Sequence, residues 1–390
     1  MKGFAVLLSF CLLAGCASTP PAAPPAVFAD ASFAPPSEPV RTDELFKLSP
    51  DMRAYLNSPA FNNLIRERGS RYGLVEALYR KSDLQIEYES TTTRTAAQTY
   101  ADRAGNCLSL VIMTAAFAKA LDMPVVFRKI EADSTWSRTG GLYLSSSHIN
   151  IAIGERRAVG MGSSEQDEML LVDFIPQDAA KRLRARQLDE DDVLALYLNN
   201  RAAELLVQDR VDDAYWWAKA AVTKRPASTV ALNTLGVVYH RHGQPALAEQ
   251  VFRTALEREP ENIHVMRNLQ PVLAELGKAE AAAVVAQHIA RLEPVPPYHY
   301  FDMGMRALDA GDYGKARDLL AREVKRSPFN DEFRFWLGVA HLRLGDVKHA
   351  REQIARAVDT STRRETRDMY SAKLSHLLRL SATGRTSADL

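Results

Sequence analysis

The sequence predicts an α+β domain followed by an all-α solenoid of helical hairpins. Three observations carry this reading. From about residue 195 onward, small residues and prolines recur in a fixed 34-residue register. Ahead of that register, an apolar helical run opens at Cys107 and is followed by stretches that alternate as strands do. At 390 residues the chain is long enough for two domains, each burying its own core.

Taken in order, the chain opens with Lys2 and an apolar stretch from Phe4 to Leu13, which is too short to span a bilayer and reads as a secretory signal. Leu13-Ala14-Gly15-Cys16 resembles a bacterial lipobox. That resemblance implies removal of residues 1–15 and acylation of Cys16; an ordinary signal with a chance cysteine is the alternative. Ala17 stands where aspartate commonly retains such proteins in the inner membrane. The expected location is therefore the inner leaflet of the outer membrane, facing the periplasm. Residues 16–40 are rich in Pro and Ala and predict an extended tether. No later run is apolar enough to span, so lipid is the expected anchor. A net charge of +1 and the lack of a basic stripe exclude nucleic acid on electrostatic grounds.

Residues 41–194 form the expected α+β domain. Leu45, Leu48, Met52, Tyr55, Leu56, Leu74 and Leu78 carry helical spacing, and Leu84 to Glu89 alternate as a short strand. Thr95 precedes a capped helix start. Gly105-Asn106-Cys107 then opens a helix that reads as buried through Leu121, with Gly105 allowing a tight turn and Asn106 a cap. Cys107 is the thiol left once Cys11 is cleaved off and Cys16 is acylated. At a helix N-terminus it faces the positive end of the macrodipole, which favours the nucleophilic thiolate. A free cysteine is also often a small buried hydrophobe. His148 is the only histidine before residue 195. It lies in Ser147-His148-Ile149-Asn150-Ile151-Ala152-Ile153, where period two puts His148 and Asn150 on the face opposite the isoleucines. Asp173 interrupts the apolar strand Met169–Ile175, an expensive burial unless something hydrogen-bonds it.

Thiol on a helix start, base on a strand and acid on the next strand resemble the transglutaminase-like superfamily of papain-like thiol enzymes, over roughly residues 84–176. The resemblance implies Cys107 as nucleophile, His148 as base and Asp173 as orienting acid, acting on an amide bond as a peptidase, amidase or acyl transferase. Gln98 and Asn150 are candidate oxyanion donors beside the Cys107 backbone N–H. No CxxC or His-x-x-x-His spacing occurs, so no metal site, dithiol site or cofactor is expected.

In the second half, Pro226, Pro260, Pro294 and Pro328 share one 34-residue phase with Ala214, Ala248, Ala282, Ala316 and Ala350. Gly243, Gly277, Gly311 and Gly345 keep the same period, as do Gly236, Gly304 and Gly338, with Gln270 in the missing place. The pattern resembles the tetratricopeptide repeat, most fully at Leu232, Leu235, Gly236, Tyr239, Ala248, Phe252, Ala255 and Pro260. Five repeats follow, at 195–228, 229–262, 263–296, 297–330 and 331–364, then a capping helix at 365–381 and a tail to 390. The resemblance implies a concave face that binds a protein or peptide. His240, His242 and His264 read as surface or groove side chains. Two functions fit these expectations: an outer-membrane-anchored thiol enzyme whose repeats recruit a partner, or a non-catalytic peptide-binding adaptor of an envelope complex.

Overall fold

The computed structural model describes residues 27–79, 86–130, 135–139, 142–146, 148–155, 169–173 and 185–382. The signal, the lipobox-like Cys16 and the tail beyond 382 lie outside these residues, as do 174–175 of the strand expected around Asp173. Among the described residues, no helix is long and apolar enough to cross a membrane.

The first helices are set by Ser-Pro pairs. α1 (Pro50–Leu56) and α2 (Pro59–Arg68) each start on proline, with Ser49 and Ser58 accepting from the Met52 and Phe61 backbone N–H at 3.2 Å. Serine caps a free N–H and proline lacks the next one, so the pair fixes both starts. After α3 (Ser70–Tyr79), the two-residue strands β1 (Glu87–Tyr88) and β2 (Ala104–Gly105) pair in parallel around α4 (Ala96–Asp102). The central helix is α5 (Cys107–Ala120), buried at every residue from Leu108 to Ala118. A helix apolar all round has to lie inside the protein. It packs on a sheet built from β3 (Val125–Ile130), β6 (Ile149–Ile153), β7 (Leu170–Val172) and β8 (Ala185–Leu188). Strand order is β7-β6-β3-β8, antiparallel throughout. A separate hairpin, β4 (Thr135–Thr139) and β5 (Leu142–Ser146), joins β3 to β6.

The repeats are five helix pairs: α6 (Glu190–Val207) with α7 (Val211–Lys224), α8 (Thr229–Arg241) with α9 (Pro245–Arg258), α10 (Ile263–Glu275) with α11 (Ala279–Leu292), α12 (His299–Asp309) with α13 (Tyr313–Arg326), and α14 (Asp331–Arg343) with α15 (Val347–Thr360). The capping helix is α16 (Arg364–Ala382). The first repeat starts earlier than the expected residue 195, because Asp189 and Asp192 close a reciprocal capping box at the head of α6.

Each small-residue column has its own physical cause. Gly243, Gly277, Gly311 and Gly345 all have φ between +72° and +79°, the left-handed turn that leads into the second helix. In the first repeat Asp209 takes the same conformation at φ +61°. The Gly236 column answers to close approach instead. A Cβ there would lie 2.4 Å from Phe252, and at Gly304 and Gly338 it would lie 2.8 Å from Leu320 and 2.7 Å from Ile354. The third repeat carries Gln270 in this column and Ala286 where the others have Phe252, Leu320 and Ile354. The larger residue has a smaller partner, so both changes fit together. Gly236→Ala should therefore destabilise the fold by a net ~1–2 kcal/mol in chemical denaturation, overpacking outweighing the helix-propensity gain. Gly314→Ala, on α13 with nothing within 4 Å, should be neutral or slightly stabilising.

Two expectations need correcting. The Pro/Ala-rich segment is not a free tether from Val27 onward. Phe33 stacks on Tyr215 with centroids 3.9 Å apart and planes 2° apart, the Trp216 indole donates to the Ala34 carbonyl at 2.7 Å, and Asp30 accepts from the Tyr215 hydroxyl at 2.6 Å. Aromatic residues of the first repeat supply a dock that the strap's own composition does not reveal. Nor are the two predicted domains independent. One apolar core runs without a break from Val27 through α5 and the sheet to Ala282 in the third repeat. A second core begins at Tyr298, beyond Pro294, Pro296 and Pro297, so the stack is divided there.

The far end of the solenoid returns to the α+β part. The Ser90 N–H donates to the Thr362 carbonyl at 2.9 Å, Arg364 pairs with Glu87 at 2.7 Å, and Arg367 donates to the Tyr88 carbonyl at 3.3 Å. The strand that carries Tyr88 is thus held by the end of the fifth repeat and the start of α16.

Candidate active site

Cys107 occupies the first helical position of α5 and is half-buried. Asn106 caps that helix: its side-chain oxygen accepts from the Ser109 backbone N–H and hydroxyl, both at 2.9 Å, while its amide donates to Thr93 at 2.8 Å. Ser109 in turn accepts from the Arg94 backbone N–H at 2.8 Å. Gly105 serves this turn through space and not through an unusual φ, since a Cβ there would lie 2.7 Å from Ser109. The thiol is therefore fixed by a cap whose polar groups are satisfied by the preceding loop.

His148 immediately precedes β6, and its carbonyl accepts from the Ile130 N–H at 2.9 Å. In the β6–β7 register Ile151 faces Val172, so one step further Asn150 faces Asp173 and His148 lies on the diagonal. His148 Nε2 reaches the two Asp173 carboxylate oxygens at 2.7 and 2.9 Å, and Asn150 Nδ2 donates to one of them at 3.1 Å. Both partners are largely enclosed, with side-chain exposures of 14% and 15%. Because Nε2 faces the acid, Nδ1 is the ring atom left for chemistry. It is buried without an aligned hydrogen bond among the described residues, yet Cys107 lies close enough to act on the ring. Burial works to lower the His148 pKa, but the hydrogen bonds and charges of Asp173 and Cys107 outweigh it and raise it to about 9.

This shift has a stability consequence. The folded pKa lies above the ordinary 6.5, so the contribution is present in full below that value and fades as pH rises through about 9. His148→Gln should cost roughly 1–3 kcal/mol near neutral pH, and the gap to the parent protein should shrink above about pH 9 in urea melts.

Neither expected oxyanion side chain is placed to serve. Gln98 is exposed and closes the capping box of α4, its carbonyl accepting from the Thr95 N–H at 3.0 Å. The Thr-x-x-Gln spacing has a local use that holds the side chain by its oxygen at the head of α4. Asn150 is fully buried, but its amide donor is spent on Asp173, and the oxygen left over cannot donate to an oxyanion. The residue that does meet the thiol is Tyr88, which the sequence did not single out. β1–β2 pairing sets Tyr88 against Gly105, two residues before the cysteine. Burial pushes the Tyr88 hydroxyl pKa up, and the charge of the neighbouring Cys107 acts in the same direction. The visible signal is slight: a tyrosine in a short alternating run. Its partner strand has only two residues.

Residues 301–364 match the family model for the tetratricopeptide repeat. The second half of the chain carries tetratricopeptide repeats. The human Tetratricopeptide repeat protein 7A is 31% identical over 106 residues, which are 26% of this chain. The chain spans 12% of that relative's length. Among solved structures, TTC0263, a thermophilic repeat protein of Thermus thermophilus, is 19% identical over 48% of this chain and 100% of its own, with a TM-score of 0.28. YrrB, described as a repeat protein with an unusual peptide-binding site, is 21% identical over 46% of this chain and 92% of its own, with a TM-score of 0.25. Repeats of this kind are commonly involved in binding proteins or peptides.

Within the repeats, His240 pairs with Glu275 at 2.9 Å and the His242 ring lies 4.2 Å from Phe33, centroid to centroid. His264 is half-buried on α10, where burial lowers its pKa and the Lys129 charge acts in the same direction.

Proposed function

We propose that this chain is a protein-binding scaffold that carries a thiol acyl site, with Cys107 as nucleophile, His148 as proton carrier and Asp173 as the acid that orients it. The His148–Asp173 pair beside a cysteine at a helix start is the observation that carries this reading. The order of the three residues supports a transglutaminase-like relationship, and the lipobox-like Leu13–Cys16 supports a lipid-anchored protein on the periplasmic side of the outer membrane.

In this reading the Cys107 sulfur attacks an amide carbonyl carbon while the C=O pair moves onto oxygen. His148 Nδ1–H protonates the departing amine as the C–N bond breaks, leaving a thioester. A water molecule or a second amine, deprotonated by His148, then attacks the thioester and releases the thiolate. Water makes the reaction a hydrolysis, an amine makes it an acyl transfer. The Cys107 N–H is the first oxyanion donor. The Tyr88 hydroxyl, a neighbour of Cys107, is the candidate for a second donor.

The closeness of Tyr88 to a half-buried Cys107 favours the second reading, a non-catalytic peptide-binding adaptor in which the thiol stays partly covered. The two readings separate on one experiment. Incubation with a peptide-derived vinyl-sulfone probe should add one probe mass at Cys107 by conjugate addition, detected by intact mass spectrometry and peptide mapping. An adaptor would remain unmodified while still capturing peptide through its repeats.

A further inference from the structure

The turn between α14 and α15 gathers three donors that the proposed function does not use. Asp346 is the N-cap of α15, and one carboxylate oxygen accepts from the His349 backbone N–H at 3.2 Å. Its other oxygen receives both His349 Nδ1, at 2.6 Å, and His341 Nδ1, at 3.2 Å. The two imidazoles stack with centroids 5.3 Å apart and planes 30° apart. Gly345, at φ +79°, makes the turn that folds the first helix's last turn onto the second helix's first. A donor atom from each residue lies within 4.8 Å of the other two.

We propose that His341, Asp346 and His349 bind a divalent transition-metal ion on the fifth repeat. In a four-coordinate site with bonds of about 2.0–2.2 Å, donor atoms stand roughly 3.3 Å apart. The His341–Asp346 separation already has that value. The His349 ring, half-exposed, has to swing outward by only about 0.7 Å to match it. Two imidazoles and one carboxylate select Zn2+, Cu2+ or Ni2+ over Mg2+ and Ca2+, which need mainly oxygen ligands. With three protein ligands a fourth position stays open for water or for a side chain of a bound partner. The capping role fixes Asp346 before any ion arrives, so one of the three ligands is pre-positioned. The sequence hides this site because five residues and then three, split across a turn, match no common ligand spacing.

The test is metal titration of the full mature chain without an affinity tag, carrying Cys107→Ser so that the thiol cannot compete. Co2+ uptake is followed by its visible absorption, and Zn2+ uptake by competition with a chromophoric chelator. The expected result is one equivalent of metal per chain, unaffected by excess Mg2+. His349→Ala, at a half-exposed position, and Asp346→Asn, which still caps the helix, should each weaken binding by roughly tenfold or more. Both variants should keep the parent's circular-dichroism spectrum. An absence of saturable uptake, or uptake that persists in both variants, would overturn the proposal.

Discussion

A fragment ending at residue 189 should fail to fold, although it contains every residue of the candidate thiol site. Sequence alone suggests the opposite, since repeats contact mainly their neighbours and the α+β segment looks self-sufficient. The structure removes that independence. Glu204 on α6 accepts from the Thr93 N–H at 2.6 Å, and Thr93 is buried and hydrogen-bonded to Asn106, the cap of α5. Without α6 that N–H loses its partner at the point where the cysteine helix begins, which costs roughly 1–3 kcal/mol. The fragment also exposes the faces that Val193, Leu194, Tyr197 and Leu198 cover, and it undocks Phe33 from Tyr215. Each apolar side chain lost from such a core is worth about 1.5–3 kcal/mol, so the sum exceeds the usual margin of stability. A fragment ending at residue 297 keeps the whole first core and should melt cooperatively by near-ultraviolet circular dichroism. Equal cooperativity in the two fragments would show that the shared core is not needed.

The repeats were legible because their physics is periodic: a left-handed turn and a close helix crossing recur at fixed spacing, and only small residues satisfy either. The order Cys107, His148, Asp173 was also legible, since strand alternation put His148 and Asn150 on one face and the buried aspartate required a donor. What sequence missed depends on contacts between distant segments. The docking of Phe33 lies in the aromatic residues of α7, not in the Pro/Ala-rich strap. Tyr88 meets Cys107 through a two-residue parallel pairing too short to leave a pattern. Gln98 and Asn150 carry amides, but each side chain has a nearer use: the Gln98 oxygen accepts at a helix cap, and the Asn150 amide donates to the carboxylate of Asp173.

The largest effect on chemistry should come from His148. With its pKa raised to about 9, the ring carries a proton and a positive charge at neutral pH, close to the sulfur. A cation there can stabilise the charge that gathers on the sulfur as it attacks an electrophile, and removing it withdraws that support. His148→Ala should slow alkylation of Cys107 at neutral pH by roughly tenfold or more, the loss of about 1.4 kcal/mol or more of charge stabilisation. Asp173→Asn should act in the same direction but less, because it loosens the ring and leaves it in place.

The central claim is that Cys107, His148 and Asp173 work as one reactive unit, and the rate of iodoacetamide labelling tests it most directly. Parent, His148→Ala and Asp173→Asn proteins are labelled side by side at neutral pH, with glutathione as the reference thiol and intact mass as the readout. The account predicts that Cys107 in the parent reacts faster than glutathione, that His148→Ala is slowest, and that Asp173→Asn falls between them. Slow labelling at one common rate in all three proteins would contradict it and leave a scaffold whose cysteine is inert.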